Sequence, residues 1–89
     1  MFRVEWLQSA IDELTTLWIQ ADPTLRQALT AASHTLDQRL SINPGQEGES
    51  RSGNRRVAFF PPLSVTFEVD DGDQTVVIGQ VRMFRRRSP

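Results

Sequence analysis

Glu68, Arg82 and Arg56 are the residues whose types and spacing come closest to a catalytic set in this chain. A carboxylate can take a proton from a hydroxyl, and guanidinium groups can hold the charge that develops on a phosphate. Cleavage of RNA through its 2′-hydroxyl requires both parts. The same residues have a blander and commoner use, because a glutamate and an arginine on neighbouring strands form solvated cross-strand ion pairs. Around them Arg51, Arg55, Arg85, Arg86 and Arg87 supply cations able to hold phosphates through salt-dependent contacts that are blind to base sequence. An acidic segment of a partner protein is the other natural ligand for such a group.

Other chemistries are closed or weak. The chain has no cysteine, tyrosine or lysine, so disulfides, thiolate metal sites and two common catalytic types are absent. Its single histidine, His34, falls within a helical segment, off the leucine stripe, and reads as a surface residue. No spaced cluster of histidines and acids points to a metal, and neither a metal nor an organic cofactor is expected. Glu5 joins Glu68 as a carboxylate on the strand face away from the core. Glu47 and Glu49 lie in a loop whose geometry the pattern leaves open.

With 89 residues, the chain is expected to form one domain spanning 1–89, with a modest core and no deep substrate cavity. The formal net charge of −1 conceals an asymmetry. Three arginines face seven acids before Ser50, for −4, whereas seven arginines face four acids from Arg51 onward, for +3. A basic surface on the second half follows, with an anionic partner as its counterpart. There is no signal-like apolar run at the N-terminus and no stretch near the ~20 apolar residues of a membrane span, so a soluble, unexported, cytoplasmic protein is expected, without membrane association.

The elements that must position these residues follow from periodicity. Phe2, Val4 and Trp6 alternate with Arg3 and Glu5, the pattern of a half-buried strand. Ser9 stands as a helix N-cap with Asp12 and Glu13 in the first turn, and Ala10, Ile11, Leu14, Leu17, Trp18 and Ala21 make one apolar face, predicting a helix over about 10–20. Asp22-Pro23 starts a second helix with its stripe at Leu25, Ala28, Leu29, Ala32, Leu36 and Leu40, ending near Ser41 before Asn43-Pro44-Gly45. The polar stretch from Asn43 to Asn54 reads as a mobile loop. A strand from Arg56 to Phe60 ends at Pro61-Pro62; Leu63 to Val69 alternates most clearly; Asp70 to Asp73 turns; and Thr75 to Phe84 returns.

The short turn makes the helices an antiparallel hairpin whose stripes share a sheet as partner. The inward set is Phe2, Val4, Trp6, Leu63, Val65, Phe67, Val69, Val77, Val81 and Met83. The uncovered face then presents Arg3, Glu5, Ser64, Thr66, Glu68, Gln80, Arg82 and Phe84, with Arg56 among them if its strand pairs in the same parity.

The order strand, helical hairpin, basic loop, strand meander, with Pro62-Leu63-Ser64-Val65-Thr66-Phe67-Glu68-Val69, an acidic turn and Val76-Val77-Ile78-Gly79-Gln80-Val81-Arg82, resembles the RelE/ParE superfamily of bacterial toxins. Ser9-Ala10-Ile11-Asp12-Glu13-Leu14 is similar to the start of that family's first helix. The resemblance implies an α+β, two-layer fold of order β-α-α-β-β-β, with the helical hairpin on one face of a mainly antiparallel sheet and the last strand beside the first. It also implies the toxin of a type II toxin-antitoxin module, neutralised by a cognate antitoxin. In one branch such a toxin is a ribosome-dependent endoribonuclease (an mRNA interferase) that stops translation, with the ribosome and mRNA as partners; Arg82 and Arg56 would hold phosphate and Glu68 would act as base. In the other it is a non-catalytic inhibitor that binds DNA gyrase; an inactive relative of the fold is a further alternative. Ser64 and Phe84 stand where mRNA-cleaving members often carry arginine, and the tail lacks their tyrosine. These departures weigh against RNA cleavage.

Overall fold

The computed structural model describes residues 1–84. Its elements run β1 (Arg3–Trp6), α1 (Gln8–Gln20), α2 (Pro23–Ile42), a 3-10 turn (Pro44–Gln46), β2 (Glu49–Ser50), β3 (Arg55–Phe60), β4 (Leu63–Asp70) and β5 (Thr75–Met83). The five strands form one sheet in the order β1-β5-β4-β3-β2, with β1 parallel to β5 and the other pairs antiparallel. Both helices pack on one face, giving the expected two-layer α+β architecture. Leu29, Leu36 and Leu40 of α2 are buried against Phe60, Leu63, Val65, Phe67, Val76, Ile78 and Val81.

Local chemistry accounts for the helix limits. The Asp22 carboxylate accepts the Leu25 N–H at 2.8 Å, and Pro23 occupies the first turn, so α2 begins as its sequence predicts. By contrast α1 begins at Gln8, and Ser9 is not its cap. The Leu7 N–H donates to the Ile78 carbonyl, while the Leu7 carbonyl accepts from Ala10 and Ile11. One residue thus both ends the strand and opens the helix, and no side chain caps it. At the other end Arg26 reaches back from α2, donating through Nε to the Trp18 carbonyl at 2.9 Å and through a terminal nitrogen to the Ile19 carbonyl at 3.2 Å. Its guanidinium carbon lies 4.2 Å from the centre of the Trp18 ring, which closes the hairpin. Trp6 Nε1 donates to Asp37 at 3.2 Å and ties β1 to α2.

Two further expectations need correction. The segment from Asn43 to Asn54 is not simply a loop: Pro44 is buried, and Glu49 and Ser50 pair with Val57 and Arg56 as an edge strand. On β5 the inward residues are Val76 and Ile78, and Val77 faces the other way opposite Glu68. The cause is a bulge. Thr66 pairs with Gln80 while Phe67 pairs with Ile78, so Gly79 is the extra residue and the alternation counted back from Val81 changes phase there.

Candidate functional site

The sheet face away from the helices is ordered in three rows by the strand register. Arg55, Glu68, Val77 and Glu5 form the first, Glu49, Val57, Thr66 and Gln80 the second, and Phe59, Ser64 and Arg82 the third. Leu7, Arg55, Thr66, Glu68, Val77 and Gln80 border a concavity of about 260 Å³ across the first two rows. Gly79, the bulge residue, also lines it and brings no side chain into it.

The three residues of the expected catalytic set do not converge. Arg56 pairs with Phe67, which puts it on the helix side of the sheet and not on the open face. Its Nε donates to the Glu47 carbonyl at 2.9 Å and a terminal nitrogen to the Gly48 carbonyl at 3.1 Å. It anchors the loop to β3. The reason is register: Arg55, one residue earlier, is the one paired with Glu68.

Arg82 stays on the open face but lies opposite Ser64, four β4 residues from Glu68, or about 13 Å along the strand. The expected Glu68–Arg82 pair is therefore not made. Arg82 instead donates to Glu13 Oε2 at 2.7 Å, while Glu13 Oε1 accepts the Val81 N–H at 2.9 Å. This arrangement follows from the length of β1. That strand ends at Trp6, so the outer edge of β5 beyond Ile78 has no partner strand, and a carboxylate from α1 takes the place of one.

The remaining arginines divide in the same way. Arg51 is 3.1 Å from Glu49, Arg3 is 2.7 Å from Glu5, and Arg39 lies 4.0 Å from Glu47. Among the described residues the Arg55 side chain has no ion-pair or hydrogen-bond partner, and neither has that of Glu68 across from it. Arg85, Arg86 and Arg87 lie outside the described residues. His34 is exposed on α2, and among the described residues no group of histidines and acids could hold a metal. Among the described residues no helix is long and apolar enough to cross a membrane.

Sequence reasoning missed Glu13 altogether and named Arg55 as a binding cation without its place across from Glu68. Arg55, rather than Arg56, faces Glu68, and the only signal for it is the parity of β3 against β4. Glu13 reads as a first-turn acid of α1, and its distant partners leave no trace in local pattern. The single Gly79 inside a strand was a usable signal for the bulge.

No family model matches the chain, and no curated protein matches it. Solved structures do. The chain is similar to one in the toxin-antitoxin complex RelBE2 of Mycobacterium tuberculosis, with 21% identity, 92% of this chain and 90% of that chain covered, and a TM-score of 0.70. It is similar to a chain of the chromosomal ParDE system of P. aeruginosa at 15% identity, covering 96% and 98%, with a TM-score of 0.74. The isolated RelE toxin of E. coli matches at 13% identity, covering 98% and 88%, with a TM-score of 0.63. The chain has the fold shared by RelE and ParE toxins, and the fold matches along nearly its whole length.

Proposed function

We propose that this chain is the toxin of a toxin-antitoxin pair, restrained by a cognate antitoxin, and that it arrests growth by binding its target instead of cutting RNA. The shared fold supports the first part, since its structural neighbours include RelBE and ParDE complexes. Fold alone does not choose a chemistry, so the second part rests on the site. The observation that carries it is the dispersal of Glu68, Arg82 and Arg56. A phosphoryl transition state needs a base and its cations around one atom, and these three lie on two faces and at two ends of the sheet. DNA gyrase is the target that a ParE-like inhibitor would engage.

Induced expression in a bacterial host tests the proposal, with growth followed while new mRNA 5′ ends are mapped on translating ribosomes. The expected result is arrest without new ends, relieved by co-expressed antitoxin, and loss of supercoiling when gyrase is challenged. New in-frame ends would overturn the binding mechanism, and uninterrupted growth would overturn the toxin assignment.

One observation favours a second reading. Arg55 and Glu68 are register partners and line the same concavity, which gives it one carboxylate and one cation. In that case Glu68→Gln abolishes toxicity while the protein stays folded. For a binding inhibitor the substitution is nearly silent.

A further inference from the structure

The open face carries two opposite charges that the chain itself does not join. Arg55 and Glu68 stand in register on β3 and β4, both are exposed, and among the described residues neither side chain has an ion-pair or hydrogen-bond partner. The arginines around them are already matched, Arg3 by Glu5, Arg51 by Glu49 and Arg82 by Glu13. One cation and one anion are thus left over, on strands about 5 Å apart. Along the same two strands Val57 stands opposite Thr66, both half-buried, and Phe59 stands opposite Ser64. Phe59 is 49% exposed, and its ring centroid lies 4.6 Å from that of Phe84, which is 40% exposed.

These rows are self-complementary about one axis. A two-fold parallel to the strands, midway between β3 and β4, lays β3 of one copy over β4 of a second and keeps each row facing its own counterpart. Arg55 then faces Glu68 of the second copy, and Glu68 faces Arg55 of the second copy. The Val57 and Thr66 row meets itself, and the aromatic pair meets its own copy, apolar on apolar. The register permits this, because β3 and β4 pair without a bulge from Arg55 to Phe60, so one axis serves all three rows. Sheets stacked face to face lie about 10 Å apart, a gap that an arginine and a glutamate reaching from opposite sides can bridge. With β2 to β5 overlapping, strand spacing and rise give a covered patch of about 500 Å² per copy, or about 1,000 Å² in all, the lower bound for a specific interface.

We propose that the open face pairs with the open face of a second copy of this chain, in a weak symmetric dimer held by two Arg55–Glu68 ion pairs and the apolar rows beside them. The proposal does not depend on the toxin reading. A copy so paired has its open face covered, so self-association excludes any other partner from that face. Nucleic acid suits the face less well. A phosphate backbone draws on several cations, whereas among the described residues Arg55 is the one arginine of this face without an internal partner, and the Glu68 carboxylate across from it repels phosphate. A second copy needs each charge met by its opposite, which this pair supplies.

The test is sedimentation equilibrium of the purified chain at low salt over a range of concentrations. Wild type is compared with Arg55→Glu, Glu68→Arg, the double reversal, an equimolar mixture of the two single variants, and Phe59→Ser. Wild type should pass from the mass of one chain to that of two with a dissociation constant above about 1 μM, since even larger interfaces range from μM to pM. Each single reversal turns two attractions into two repulsions and should weaken association at least about tenfold. The double reversal should restore it to within about threefold. The mixture should form a heterodimer at least as tight as the wild-type dimer, because every contact then joins opposite charges. Phe59→Ser should weaken pairing about tenfold, as for an aromatic interface anchor. All three side chains are exposed, and circular dichroism verifies that the variants fold. A wild-type mass of one chain up to about 1 mM, a dimer indifferent to the reversals, or a mixture that stays monomeric would each overturn the proposal. A wild-type chain that remains single but binds an oligouridylate through Arg55 would overturn it in favour of nucleic acid. Growth is not read in this assay, so the toxin reading stands or falls separately.

Discussion

The two faces of the sheet hold neighbouring residues to opposite duties. On the helix-covered face a polar group is kept only when its bonds are satisfied, as Arg56 is by the Glu47 and Gly48 carbonyls. On the open face Arg55, the adjacent residue, stands across from Glu68, and its side chain has no partner among the described residues. The contrast teaches that arginine count is a poor guide to a binding surface. Arg51, Arg56 and Arg82 belong to the basic half of the chain, yet each already has an internal partner.

The largest expected effect probes which face β5 turns to the core. Ile78→Ala should cost about 3 kcal/mol or more in urea unfolding, as for a large buried aliphatic, and Val77→Ala less than about 1 kcal/mol. Equal losses would break the assignment of the bulge. Next comes Gly48, whose φ of +68° and closeness to β3 leave no room for a side chain: an added Cβ would lie 2.1 Å from the Val57 carbonyl oxygen. Gly48→Ala should therefore destabilise by about 3 kcal/mol, through backbone strain together with displacement of the loop. Gly53→Ala, at φ +61° but with nothing within 4 Å of the added carbon, should cost only the left-handed penalty of about 1 kcal/mol.

The arginine pair sharpens the comparison of faces directly. Arg56→Met keeps much of the apolar stem but strands two carbonyls, for a loss of about 2 kcal/mol, while Arg55→Met should fall within about 0.5 kcal/mol of wild type by the same measurement. A larger loss at Arg55 would mean that the open face, too, uses it structurally. The last effect is local. Glu13→Ala should lower stability by about 1 kcal/mol and speed hydrogen exchange at the Val81 amide, whereas Glu13→Gln, which retains an acceptor oxygen, should leave that amide protected.

Much of the fold was legible because its signals are local. Asp22-Pro23 marked the start of α2, the leucines at helical spacing marked its buried stripe, and Leu63 to Val69 alternated as β4 does. Less of the candidate site was legible. Glu68 and Arg82 do face outward as their parity required, but Arg56 does not, and the distance between Glu68 and Arg82 depends on the stagger of β4 against β5. Ser9 was misread for a related reason: the hydrogen bond from Leu7 to Ile78 sets where the chain leaves the sheet, and it joins residues far apart in sequence.

By itself the sequence determined the hairpin of helices, the four longer strands and, on β1 and β4, the sheet face that the helices cover, because hydrophobic period and capping chemistry act over a few residues. Only the tertiary structure decided which arginines remain open. A one-residue difference in strand register moves a side chain to the opposite face. The early end of β1 exposes an edge that Glu13 then occupies, drawing Arg82 with it. Those outcomes depend on pairings between distant segments, which no local pattern encodes.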